Sequence, residues 1–247
     1  MPAIEITNSE KLWMFALLAV WAGMLFGGFV FGKENADHTH RIPTPMRMGS
    51  SLALVVAAWS WRLVAGGSDL SELTLFIAVG MTLGLLGDLF MAGLIVKGDN
   101  RVLAGIGAFG LGHVAYITGL VRFGNRFGFD DPAKRWGALA VWLVIGAALW
   151  YLVVYRSAEK PEIVHMAALP YALLLASTAA VATGLALQTS AFTLLALGAG
   201  LFLASDLLLA AQLFNGAHFR LIGDVVWLMY GPGQMLIVYA LALRAMV

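Results

Sequence analysis

Eight stretches of about twenty or more mostly apolar residues divide the chain, at about 11–31, 47–66, 72–96, 101–122, 134–155, 163–187, 190–213 and 220–244. A helix that crosses a bilayer needs about 20 such residues, and no other arrangement uses runs of this length as economically. Closed barrels are disfavoured because nothing in the runs alternates with a period of two. The connections Gly66-Gly67-Ser68-Asp69, Lys97-Gly98-Asp99-Asn100-Arg101 and Gln188-Thr189-Ser190 are short polar turns that force antiparallel hairpins. The expected fold is an all-α membrane protein, a single bundle of eight transmembrane helices occupying 1–247 as one domain.

Composition agrees. Of 247 residues, 61% are hydrophobic and 12% charged, against roughly a quarter charged in soluble domains. The net charge of +1 provides no basic excess for neutralising phosphates, so no nucleic-acid partner is expected. Cysteine is absent, which excludes disulfides, thiolate metal sites and a thiol nucleophile. The start, Met1-Pro2-Ala3-Ile4-Glu5, is acidic and lacks the basic region and cleavage site of a signal peptide, so the first helix is expected to stay in the mature protein. Lys and Arg are nearly balanced between the two sets of loops, and the positive-inside rule leaves the orientation open. The expected location is a bacterial inner membrane.

The third and seventh runs echo each other, with Gly-Asp-Leu-Phe-Met-Ala at 87–92 and Ser-Asp-Leu-Leu-Leu-Ala at 205–210. One helix later each is followed by a Gly-polar pair, Gly112-His113 and Gly233-Gln234. The echoes are four helices apart, so equivalent helices run in the same direction. This reads as a parallel internal duplication of helices 3–4 and 7–8 about an axis along the membrane normal.

Nearly all charge sits at helix ends, and the exceptions carry the chemistry. Asp88, His113 and Asp206 lie well inside apolar runs, and Asp224 lies one turn into the last. A carboxylate at the centre of a spanning helix costs about 2.5–3.5 kcal/mol even on the most lenient scale, so these groups need a bundle interior. Gly80, Gly84 and Asp88, and likewise Gly198, Phe202 and Asp206, share helix faces at four-residue steps. The small residues let backbones approach, and the carboxylates are expected to face each other across a glycine-lined centre. Asp88 and Asp206 are the expected catalytic pair. His113, Asp224, Gln234 and Ser205 are expected to orient or hydrate them, His113 by a hydrogen bond to Asp88, with Tyr116 and Tyr230 lining the pocket. Gly231-Pro232-Gly233 reads as a helix break, and most tryptophans as an interfacial belt. The one dense polar loop, Lys33 to Arg41, offers His38, His40 and Arg41 to a lipid head group. Two histidines on a loop are a weak metal signal, and no metal or organic cofactor is expected.

Taken together, Gly87-Asp88-Leu89, Gly112-His113-x-x-Tyr116, Ser205-Asp206-Leu207-x-Leu209-Ala210, Tyr230 and Gly233-Gln234-x-Leu236-Ile237 resemble the lysoplasmalogenase (YhhN-like) family of integral membrane enzymes. The resemblance implies hydrolysis of the vinyl-ether bond of a lysophospholipid substrate, within a partner environment of membrane lipids, to a fatty aldehyde and glycerophospho-ethanolamine or -choline. Such a bond is cleaved by protonating its β-carbon, after which water adds to the oxocarbenium ion. One carboxylic acid and one carboxylate suffice, the division of labour that glycosidases use on a related cation. Two other classes stay open on the residues alone. One is a lipid or small-solute transporter using the Asp pair. The other is a metal-dependent, ceramidase-like intramembrane hydrolase.

Overall fold

The computed structural model of the protein describes residues 6–98, 100–156 and 162–240. The start at 1–5, Asp99 of the third connection, Lys160 and the end of the eighth run at 241–244 lie outside the described residues. The described residues fold into eight α-helices: α1 Asn8–Phe31, α2 Thr44–Val64, α3 Ser71–Met91, α4 Asn100–Arg126, α5 Pro132–Trp150, α6 Ile163–Ala186, α7 Thr193–Asn215 and α8 Ile222–Tyr239. No strand occurs among the described residues. Among the described residues, six helices are long and apolar enough to cross a membrane. The two others, α2 and α8, carry the interior polar residues Ser50, Ser51, Asp224 and Gln234. The protein is a multi-pass membrane protein.

Local chemistry sets the helix ends. Thr7 and Glu10 form a capping box at the start of α1, Thr7 N–H donating to Glu10 Oε2 at 2.8 Å and Glu10 N–H to Thr7 Oγ1 at 3.3 Å. The third apolar run, expected to 96, stops being helical at Met91. Gly93 takes φ +70°, its N–H bonds to Phe90 O at 2.9 Å and that of Leu94 to Leu89 O at 3.0 Å. This pair of bonds is the Schellman stop, which needs the left-handed conformation that glycine adopts freely. Leu94 and Ile95 are apolar but lie beyond the stop and are exposed, so hydropathy overran the helix. The fifth run ends in a π turn, Tyr151–Tyr155. Helix α8 runs unbroken through Pro232, correcting the expected break at Gly231-Pro232-Gly233. Trp21 and Trp61 are core residues, not interfacial ones.

The packing repeats after four helices. Contacts of α1 with α2, α2 with α3, α3 with α4 and α4 with α6 recur as α5 with α6, α6 with α7, α7 with α8 and α8 with α2. The echo read between helices 3–4 and 7–8 therefore extends to the neighbour relations of all eight. Equivalent glycines make two close backbone crossings. Gly80 precedes Asp88 by the same eight residues that separate Gly198 from Asp206. A Cβ on Gly112 would lie 3.1 Å from Gly80 O, and one on Gly198 would lie 2.6 Å from Gly233 O. Backbone cannot yield as a flexible side chain can, so Gly198→Ala is expected to destabilise the bundle by about 1–3 kcal/mol. Gly200→Ala, with nothing within 4 Å of its Cβ, is the control, and thermal unfolding in detergent compares the two.

Candidate active site

Asp88 sits near the end of α3, 5% exposed. Ser51 of α2 donates its hydroxyl to Asp88 Oδ2 at 2.5 Å, and Tyr230 of α8 donates to the same oxygen at 3.1 Å. Behind Tyr230 the bonds continue. Gln234 Nε2 donates to the Tyr230 hydroxyl at 3.3 Å, and Tyr116 of α4 donates to Gln234 Oε1 at 3.0 Å. Gly84, one turn before Asp88, leaves the room these groups fill, since a Cβ there would lie 3.0 Å from Gln234 Nε2. Four of the expected residues thus form one relay: Tyr116, Gln234, Tyr230 and Asp88. Tyr116 and Tyr230 stand in the protein interior behind the carboxylate and do not line the cleft described next.

Asp206, midway along α7, accepts a hydrogen bond from the Tyr171 hydroxyl of α6. Ser205 Oγ lies 3.4 Å from Asp206 Oδ1 and donates to Phe202 O at 2.7 Å. Asp206 and Tyr171 lie on the wall of a cleft among α4, α5, α6 and α7, with about 770 Å³ of empty space counting its open mouth. The remaining wall is almost wholly apolar, with Ile106, Phe109, Leu175, Leu203 and Leu213 among its residues.

The two carboxylates do not bond to each other. The Phe109 ring packs against both of their tyrosines, 6.1 Å from the ring of Tyr230, the tyrosine on Asp88, and 6.5 Å from that of Tyr171, the tyrosine on Asp206. The expectation is of carboxylates facing each other across a glycine-lined centre; the structure adds that each is held by its own tyrosine, Asp88 by Tyr230 and Asp206 by Tyr171. Each also follows the fourfold-shifted pattern, taking a hydroxyl donor from the preceding helix, Ser51 on α2 or Tyr171 on α6.

His113 is 1% exposed and, contrary to the hydrogen bond expected from sequence, does not bond to Asp88. Its Nδ1 pairs with Thr178 Oγ1 at 2.9 Å, its ring lies 4.7 Å from that of Phe202, and its Nε2 is buried without a partner. Its ring centroid is also 5.9 Å from Tyr116 and 6.1 Å from Tyr171, so it stands between the two tyrosine systems. Asp224 orients neither catalytic candidate. Wholly buried at the start of α8, it accepts the backbone N–H of Arg41 at 2.6 Å and that of Ile42 at 3.0 Å. This carboxylate anchors the α1–α2 loop, its charge satisfied by amides that have no helix partner of their own.

The same anchoring accounts for two of the three head-group candidates. Leu221 N–H donates to His38 O and Gly223 N–H to Thr39 O, both at 2.8 Å. His38 pairs with Glu34 at 2.8 Å, and Arg220 meets Glu34 at 2.8 Å. Hydrogen bonds from Arg220 and His38 hold the Glu34 carboxyl far below the usual carboxylate range, to about 2, so this surface clamp persists until the pH falls well below the carboxylate's normal titration. The Arg41 guanidinium caps the carbonyls at the end of α1, Nε to Gly32 O and Nη2 to Val30 O, each at 3.2 Å. His38 and Arg41 are therefore committed to structure, and His40 remains.

Among the described residues, no group of three or more His, Cys, Asp or Glu side chains is placed to hold a metal ion. Sequence reasoning missed Ser51, Tyr171 and Thr178, because hydroxyls and rings cost little in an apolar helix and raise no flag there. Only Pro170, next to Tyr171 inside α6, marks that region.

Neither a curated protein nor a solved structure matches the chain. A family model does, the YhhN family, over residues 44–241. The match takes in α2 to α8 and every side chain that holds Asp88 or Asp206, while α1 and the loop carrying His38, His40 and Arg41 precede it. On a match that covers most of its length, this multi-pass membrane protein belongs to the YhhN family.

Proposed function

We propose that the protein is a lysoplasmalogenase-like hydrolase that cleaves the vinyl-ether bond of 1-alkenyl-lysophospholipids by acid–base catalysis at Asp88 and Asp206. Family membership is consistent with a lysoplasmalogenase-like hydrolase. The observation that carries the reading is a carboxyl group with a tyrosine hydroxyl on the wall of an apolar cleft. A single alkenyl chain is the apolar ligand such a wall suits, and a vinyl ether is a bond that a proton alone activates. In this scheme a carboxylic acid delivers a proton to the β-carbon, the C=C π electrons form the new C–H bond, and the positive charge falls on the C1–O unit. Water adds at C1, losing a proton to the second carboxylate. The hemiacetal then breaks its C1–O bond to glycerol as the second carboxyl group returns that proton to the glycerol oxygen and the first, now a carboxylate, takes the hemiacetal O–H proton, which restores both groups. The products are the fatty aldehyde and the glycerophospho-alcohol, with water as the one co-substrate. Asp206, which borders the cleft, is the group we assign to meet the alkenyl unit. Asp88, with Ser51 and Tyr230 as donors, is its counterpart.

The test is product analysis with purified protein in detergent, offering 1-alkenyl-lysophosphatidylethanolamine beside its 1-acyl analogue. Aldehyde from the alkenyl lipid alone is the expected result. Fatty acid from the acyl lipid without aldehyde would replace the proposed reaction with ester hydrolysis. The fourfold-shifted packing of the helices supports a second reading, a lipid or small-solute transporter, since parallel repeats are a transporter architecture. That reading predicts accumulation in proteoliposomes with no covalent change.

A further inference from the structure

One cationic side chain beside the site is left unused by the fold. Arg47, in the first turn of α2, donates through Nη2 to Thr44 Oγ1 at 3.0 Å, and its guanidinium lies 5.7 Å from the centroid of the Trp227 ring. Its Nε is buried and has no hydrogen-bond partner. Among the described residues, no carboxylate comes within ion-pair distance of it. Asp224, the nearby acid that could neutralise it, has both oxygens committed to the amides of Arg41 and Ile42. A guanidinium offers five donors in a fixed fork and no acceptor, and a buried donor without a partner is costly. Such a group is built to receive two acceptor oxygens in a plane, which is the geometry of a phosphate.

His40, in the loop that leads into α2, lies close enough to feel the charge of Arg47. Burial and the charge of Arg47 make His40 harder to protonate than an ordinary histidine, so an anion placed between the two would relieve both. The His40 Nδ1 meets Thr39 Oγ1 at 3.2 Å, which leaves its Nε2 for a ligand. Position along the helix ties this pair to the carboxylate site. Ser51, which donates to Asp88, follows Arg47 by four residues on the same face of α2, just over one helical turn or about 6 Å further into the bundle. A three-carbon glycerol separates the phosphate of a lysolipid from its 1-ether oxygen, a span of the same order.

We propose that Arg47, with His40 nearby, binds the phosphodiester of a lysophospholipid head group, the glycerol running along α2 so that the 1-ether reaches the carboxylate site. The proposal rests on the lysolipid reading above and names where that substrate's head group is held.

The test uses a ligand that cannot react, so that it stands apart from hydrolysis. Binding of 1-alkyl-lysophosphatidylethanolamine, whose saturated ether has no vinyl carbon to protonate, is compared with binding of 1-alkylglycerol, which lacks the phosphate. The full chain in detergent is used, with inorganic phosphate as a third ligand. Wild type is expected to prefer the phospholipid at least tenfold, roughly what a charge-assisted hydrogen bond contributes. Arg47→Gln is expected to weaken phospholipid binding by about ten- to a hundredfold and to leave 1-alkylglycerol binding unchanged. Arg47→Lys keeps the charge without the fork and is expected to retain a reduced preference, which keeps the test open should the glutamine variant not fold. His40→Gln is expected to weaken phospholipid binding by a few-fold. Equal weakening of both lipids in the Arg47 variants, or a wild type that binds inorganic phosphate but does not distinguish the two lipids, would overturn the proposal. Absence of aldehyde in the product assay would remove the reaction and leave this binding result to be read by itself.

Discussion

Asparagine in place of Asp206 is expected to lower aldehyde release by about a hundredfold to ten-thousandfold, the range that removal of a general acid or base produces. The substitution keeps an oxygen to accept the Tyr171 hydroxyl and removes only the exchangeable carboxyl proton, so the fold is expected to survive. Asp88→Asn likewise keeps an acceptor for Ser51 and Tyr230 and is expected to cause a loss of the same order. The two effects should not multiply in the double variant, because acid and base act on one bond as a unit. Initial rates and thermal unfolding, measured on the same preparations, separate lost chemistry from lost structure. Full activity in either single variant would sink the two-carboxylate assignment.

The second large effect concerns stability. Asp224→Ala removes the acceptor of two buried amides, those of Arg41 and Ile42. Bonds to a charged group contribute about 1.5–3 kcal/mol each, so a loss of about 3 kcal/mol or more is expected. The α1–α2 loop would detach from the start of α8, and hydrogen exchange at the Arg41 and Ile42 amides should rise while that of the α3–α4 crossing stays protected. The contrast with Asp88 and Asp206 is the point of the comparison, because all three are buried aspartates in one bundle. A folded Asp224→Ala protein of unchanged stability but no activity would return Asp224 to the chemistry, where the sequence alone puts it.

That difference marks how far the sequence could be read. The eight helices were legible because a bilayer span demands an uninterrupted apolar run, and the runs are clean. Asp88 and Asp206 were legible because an ionisable group in such a run is costly and stands out. What each carboxylate does with its charge was not legible, since this depends on which helices lie beside it. Asp224 finds the amides of a loop more than 180 residues away in sequence, and Asp206 finds a tyrosine on α6 that looks like any other aromatic residue in a span. The end of α3 was missed for a related reason: a glycine in the left-handed conformation stops the helix, while Leu94 and Ile95 carry the hydropathy on past it. Arg47 was visible as a charge near a helix end, where cations are common and unremarkable. Its unmet Nε appears only once Asp224 is seen to be committed elsewhere.

In the proposed reaction a carboxyl proton goes to carbon. Running the reaction with 1-alkenyl-lysophosphatidylethanolamine in heavy water, and reducing the aldehyde to the alcohol as it forms, tests this directly by mass spectrometry. The carbon next to the aldehyde carbon is predicted to carry one deuterium, delivered when the vinyl ether is protonated. Aldehyde that forms without deuterium at that carbon would contradict the mechanism.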